Sequence, residues 1–132
     1  MKTFRELTVW QQAHRLALAV YRATTNFPLD ERYGLMSQMR RCAVSVAANI
    51  VEGHKRRSQK DFLNFLNVAD SSLEELKYYL LLSNDLQYIT SSVLEQLYQQ
   101  AELVGRMLSR FTTHIRQGVS HVQIPNAVPA NA

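Results

Sequence analysis

The sequence predicts an all-α protein, an antiparallel up-down-up-down four-helix bundle. Apolar residues recur at intervals of three and four in four separate runs, and none alternates with the period of two that marks a strand. Only four glycines and three prolines occur, and they read as breaks between runs. The connections are short, which makes successive helices antiparallel neighbours. A chain of 132 residues has the size of one domain, and 46% hydrophobic with 20% charged residues excludes wholesale disorder. The bundle is expected over residues 1–117 and a tail over 118–132.

The first stripe, Trp10, Ala13, Ala17, Val20 and Phe27, predicts a helix from about Leu7 to Thr25, ended by Phe27-Pro28. The second is Leu35, Met39, Cys42 and Val46, widened by Met36, Ala43 and Ile50. Asp30 or a neighbour can cap its start, and Gly53 is the expected stop after Glu52. Ser58-Gln59-Lys60-Asp61 then reads as a capping box with Asp in place of Glu. Behind it run Phe62, Leu66, Ala69, Leu73, Leu76 and Leu80. A further box, Ser92 to Glu95, opens the stripe Leu94, Leu97, Ala101, Val104, Leu108, Phe111 and Ile115. Alternating spacings of three and four in the last two helices form a heptad, the pattern of nearly parallel packing. Helix 3 carries a second apolar edge, Phe65, Val68, Tyr79 and Leu82, which predicts contact with another subunit.

The single cysteine, Cys42, excludes an intrachain disulfide framework and reads as a small core residue. No signal-peptide core follows Met1, and no apolar run is long enough to span a bilayer, so a cytoplasmic location away from membrane is expected. After Arg116 no Lys or Arg follows, and Gly118, Pro125 and Pro129 predict a disordered tail. His14, His54, His114 and His121 form no ligand-spaced cluster, and no Glu-x-x-His pair exists. No metal or cofactor is expected. Gln38, Ser45 and Glu52 are seven apart along helix 2, with Asn49 on its seam. Together with Ser71, Ser72 and Glu74 on helix 3, and Arg41 as partner to a buried Glu52 or Glu74, they predict a structural polar network. No nucleophile–base pair is legible, so no enzyme is expected.

Several strings are familiar together. Phe4-x-x-Leu7-x-Val9-Trp10 opens helix 1, and Phe27-Pro28-x-x-Glu31 leads into helix 2. Gln38-x-Arg40-Arg41-x-x-x-Ser45-Val46-x-x-Asn49-Ile50-x-Glu52-Gly53 follows, then Ser58-x-x-x-Phe62 and Ala69-x-Ser71-Ser72-x-Glu74. The chain resembles the bacterial four-helix bundle proteins named after the intervening sequences of 23S ribosomal RNA genes, from about Phe4 to Phe111. That resemblance implies a bundle assembled as a ring, a homopentamer. A distant cousin is the accessory variability determinant of diversity-generating retroelements, a basic pentameric bundle that binds nucleic acid.

The net charge is +4, from 15 Lys+Arg against 11 Asp+Glu. In the expected topology one pole collects Lys2, Arg5, Lys55, Arg56, Arg57, Lys60, Arg110 and Arg116 against Glu6, Glu52 and Asp61. The other collects Asp30, Glu31, Asp85 and Glu95 against Arg32. A ring would point every basic pole the same way and multiply the field. The expected function is non-enzymatic binding of RNA or DNA phosphates. The alternative is a ring-shaped scaffold for another protein. A ribonuclease ranks last, because Arg110 and His114 are one residue short of the spacing in helical-bundle ribonucleases.

Overall fold

A computed structural model describes residues 3–118, which form four α-helices, two short 3-10 turns and no strand. The helices are α1 (Thr8–Thr24), α2 (Leu35–Lys55), α3 (Gln59–Asp85) and α4 (Ser91–Arg116). Each packs on its sequence neighbours, and α1 also meets α4, so the four surround one core. Ser83 Oγ donates to Met39 Sδ at 3.2 Å, Ser45 and Ser72 share a hydroxyl bond at 2.8 Å, and Gly53 faces Phe62. Rising numbers on α2 meet falling numbers on α3, so this pair runs antiparallel. Among the described residues no helix is long and apolar enough to cross a membrane.

The stripes face inward as their periodicity requires. Leu16, Met39, Ile50, Phe62, Leu66, Leu73, Leu76, Leu80, Met107, Leu108 and Phe111 are almost wholly removed from water. Each such side chain contributes about 1.5–3 kcal/mol of burial before conformational entropy is set against it. Trp10 is only half-buried; it stacks on His14 at 5.0 Å and takes the edge of Phe4, also at 5.0 Å. These rings hold the 3-10 turn Phe4–Glu6 against α1.

Two glycines and one helix cap depart from expectation. Gly53 does not stop α2, which runs on to Lys55. The residue is buried, and a Cβ there would sit 2.8 Å from Phe62 Cδ1 and 2.9 Å from Phe65 Cβ. Glycine at 53 therefore serves the close approach of α2 and α3. Gly105 likewise lies inside α4, facing Leu73. The cap of α4 is Thr90, whose Oγ1 accepts from the Val93 N–H at 3.1 Å, in place of the Ser92–Glu95 box. The cap of α2 comes, as expected, from the neighbourhood of Asp30. Glu31 Oε1 accepts from the Leu35 N–H at 3.0 Å, and Oε2 accepts from the Tyr88 hydroxyl at 2.9 Å. That bond, above all, pushes the Tyr88 phenol up in pKa. Ser58 behaves as expected, accepting from the Asp61 N–H at 3.0 Å.

At the end of α3 the Tyr88 N–H bonds to Ser83 O and the Gln87 N–H to Asn84 O. This is a Schellman ending whose left-handed residue is Gln87, with φ of 67°. A glutamine there costs about 1 kcal/mol of local strain. Of the expected tail, Val119 to Ala132 lies outside the described residues, as does Lys2 of the basic pole.

Candidate nucleic-acid interface

Lys55 is the last residue of α2, and Arg56 leaves the helix in an extended conformation. Its N–H still bonds back to Gly53 O at 3.0 Å. Ser58 restarts the chain as the cap of α3, so the break between the helices is three residues long. Lys55, Arg56, Arg57 and Lys60 are all exposed on this tight corner. The Gln59 side-chain amide donates to Ile115 O, which pins the corner to the end of α4 and brings exposed Arg116 beside it. The N-terminal turn arrives at the same end: Thr3 and Phe4 line a cleft of about 510 Å³ with Val51, Glu52, His54 and Lys55. Arg5 is exposed in that turn.

Arg116 rims a second cleft, of about 190 Å³, between α3 and α4, where Asp70, Asn67, Ser109 and Thr113 are further polar lining. Arg110 is exposed but lies six residues back along α4, around the helix from Arg116, and does not line that cleft. Among the described residues no carboxylate lies within ion-pairing distance of Lys55, Arg56, Arg57, Lys60 or Arg116; the Lys77–Glu74 pair, at 3.7 Å, is elsewhere on α3. Exposed glutamate and aspartate do stand nearby, as Glu52 and Asp61. The corner thus offers several solvated cations with N–H donors uncommitted to acids, which suits phosphate oxygens.

The polar residues of α2 form a smaller cluster than their spacing suggests. The Ser45 and Ser72 hydroxyls meet at 2.8 Å across α2 and α3. The Asn49 amide donates to Ser45 O at 2.8 Å and to Ser45 Oγ at 3.0 Å. Among the described residues no hydrogen bond or ion pair joins Gln38, Arg41, Glu52 or Glu74 to this cluster. Arg41, Glu52 and Glu74 are exposed, so neither glutamate requires a buried arginine. Ser72→Ala should cost about 1 kcal/mol, because Ser45 keeps its bond with Asn49. Urea denaturation checks this; a loss above about 3 kcal/mol would mean a larger network than these three side chains.

Cys42 is buried, and burial followed by the Glu75 carboxylate pushes its thiol up to about 12, far from a thiolate at neutral pH. No group of three or more His, Cys, Asp and Glu is placed to hold a metal among the described residues.

Residues 5–110 match the family model described as 23S rRNA-intervening sequence protein. The chain belongs to that family. It is also similar to a solved structure from Bacteroides thetaiotaomicron, described as a protein of unknown function from the S23 ribosomal protein family. The two share 25% identity and superpose with a TM-score of 0.71, over 79% of this chain and 97% of that one. No curated protein matches at a significant level.

In this member of the family the second edge of α3 is partly occupied within the protomer. Phe65 is half-buried, pressed near Gly53 and covered by the Arg56 guanidinium at 4.7 Å from its ring centre. Tyr79 and Leu82 pack at the margin of the core, and the Tyr79 hydroxyl donates to Glu75 Oε2 at 2.8 Å. Val68 is 47% exposed. Sequence reasoning missed a different cluster, at the far end of α2. Arg40 donates through Nε to Thr24 Oγ1 at 2.9 Å and through Nη2 to Tyr21 O at 3.2 Å, with its guanidinium 4.5 Å over the Tyr21 ring. The available signal is arginine next to tyrosine at Tyr21-Arg22 and Arg32-Tyr33.

Proposed function

We propose that the protein is a non-enzymatic nucleic-acid-binding protein that contacts RNA or DNA phosphates through the α2–α3 corner. In this reading the chain is an up-down-up-down bundle and assembles as a cytoplasmic ring, a homopentamer, so that each corner repeats around one axis. The observation that carries the reading is the clustering of Lys55, Arg56, Arg57, Lys60 and Arg116 at one end, exposed and without ion-pair partners among the described residues. The reference to 23S rRNA in the family's name agrees with an RNA ligand. A second reading, a scaffold for another protein, draws on Val68, Tyr78 and Leu81, apolar side chains left exposed along α3.

Binding of this kind is tolerant of sequence and steeply salt-dependent, because each neutralised phosphate releases counterions. The test is Arg57→Ala combined with Lys60→Ala. Arg56 is left in place because its guanidinium covers Phe65, so its removal would alter packing as well as charge. Both chosen residues are exposed, and Lys60 lies in the first turn of α3, where a cation is disfavoured by the helix dipole. The fold should therefore survive. Affinity should fall for every sequence tried, and the log–log salt slope should become shallower by about 0.7 to 0.9 for each phosphate no longer neutralised. Arg22→Ala on α1 should do much less. An unchanged slope in the double variant would leave the corner as a solubilising surface and favour the scaffold.

A further inference from the structure

We propose that the cleft between the end of α1 and the start of α2 is a stacking site for an unpaired base and its phosphate, which makes single-stranded nucleic acid the preferred ligand. This rests on the nucleic-acid reading above but on different residues. The cleft holds about 590 Å³, within the range of small-ligand sites, and its lining includes Tyr21, Arg32, Tyr33, Ser37, Arg40 and Arg41. No carboxylate lines it. Asp30 and Glu31 belong to the same turn, yet Asp30 is not part of the lining and Glu31 is committed to Leu35 and Tyr88.

Tyr33 is 89% exposed and Tyr21 43% exposed. Two exposed tyrosines, one of them already capped by Arg40, beside three arginines are a poor arrangement for folding and a good one for a base. Arg40 is fixed in advance. Its bonds to Thr24 and Tyr21 use two of five N–H donors and leave three for an anion, while its plane lies over the Tyr21 ring. Arg32 and Arg41 have no ion-pair partner among the described residues, and Arg41 is exposed. Phosphate alone would need the arginines but not the tyrosines. An acidic peptide would use the same cations with no requirement for an aromatic face at Tyr33. A duplex keeps its base faces stacked inside, so only an unpaired strand can use ring and guanidinium together.

The experiment measures fluorescence anisotropy of the full chain with a labelled uridylate oligonucleotide and with an RNA duplex of equal length. Tyr33→Ala should weaken uridylate binding about 5- to 160-fold, the range of one base–aromatic stack, and leave duplex binding and the salt slope unchanged. Tyr33→Phe keeps the ring and should bind as the wild type. At its exposure Tyr33 supports little of the core, so the variants should fold. Undiminished binding of Tyr33→Ala to both probes overturns the site, and an equal loss on both probes overturns stacking as its mechanism. A change in native mass with binding intact would make the cleft a contact between copies and also overturn it. The corner is judged separately by Arg57→Ala with Lys60→Ala. The two sites stand roughly 27 Å apart along α2, from Ser37 to Lys55 at 1.5 Å per residue, so their effects should add. Failure of the corner variant leaves a Tyr33 effect standing. A wild type that binds neither probe removes both readings.

Discussion

Phe62→Ala should cost about 3–5 kcal/mol of folding stability, a large share of what a domain of this size possesses. Phe62 is wholly buried, meets the ring of Phe111 edge to face at 5.5 Å between centres, and lies against the α2 backbone at Gly53. Its removal forfeits transfer free energy, the ring pair, and packing against a rigid helix that cannot collapse into the space. Thermal denaturation followed by circular dichroism should show a melting temperature about 10–20 °C lower. A drop of only a degree or two would mean that α2 and α4 close over the gap.

Gly53→Ala is the complementary experiment, adding a methyl group where Phe62→Ala removes a ring. Alanine is the better helix former by about 1 kcal/mol, so propensity alone predicts a more stable protein. The new Cβ, however, would sit 2.8 Å from Phe62 and 2.9 Å from Phe65 Cβ. Phe62 has no room to swing, and the Phe65 atom is fixed to its own backbone, so α2 and α3 must separate. The expected net loss is about 1–3 kcal/mol in urea. A gain in stability would show that the helices part without strain. In the Phe62→Ala background one of the two clashes is gone, and Gly53→Ala should cost clearly less or turn favourable. Simple additivity of the two changes would count against direct contact as the cause.

The periodicities at Leu35, Met39 and Val46, and from Phe62 to Leu80, are legible in the sequence because core burial imposes a period on the chain. Gly53 is ambiguous there, because a glycine after a helical stripe has two uses, a stop or a close approach, and only the partner helix decides between them. Thr90 and Ser92 are equally able to cap, and the path of the preceding turn through buried Ile89 selects the earlier residue. The corner cations are readable as a cluster in sequence. The expected topology also puts Arg116 at their pole, but the contact that ties it there, Gln59 reaching Ile115 across the bundle, has no sequence signal. The Tyr21, Tyr33 and Arg40 cleft leaves only a weak trace, tyrosine beside arginine at Tyr21-Arg22 and Arg32-Tyr33, because its parts lie on two helices and a turn and no spacing rule connects them.

The Glu31 carboxylate holds the start of α2 with one oxygen and Tyr88 with the other, while the Phe27 and Tyr88 rings meet at 5.2 Å. These residues come from two different loops, one joining α1 to α2 and the other joining α3 to α4. A residue inserted between Glu31 and Leu35 would uncap α2 and release Tyr88 together, whereas an insertion that displaced Tyr88 would cost its bond to Glu31 and its ring contact with Phe27 but leave the cap in place. The two loops therefore brace each other through one shared carboxylate, although more than fifty residues separate them along the chain. An insertion, tag or grafted segment in either one loosens the other.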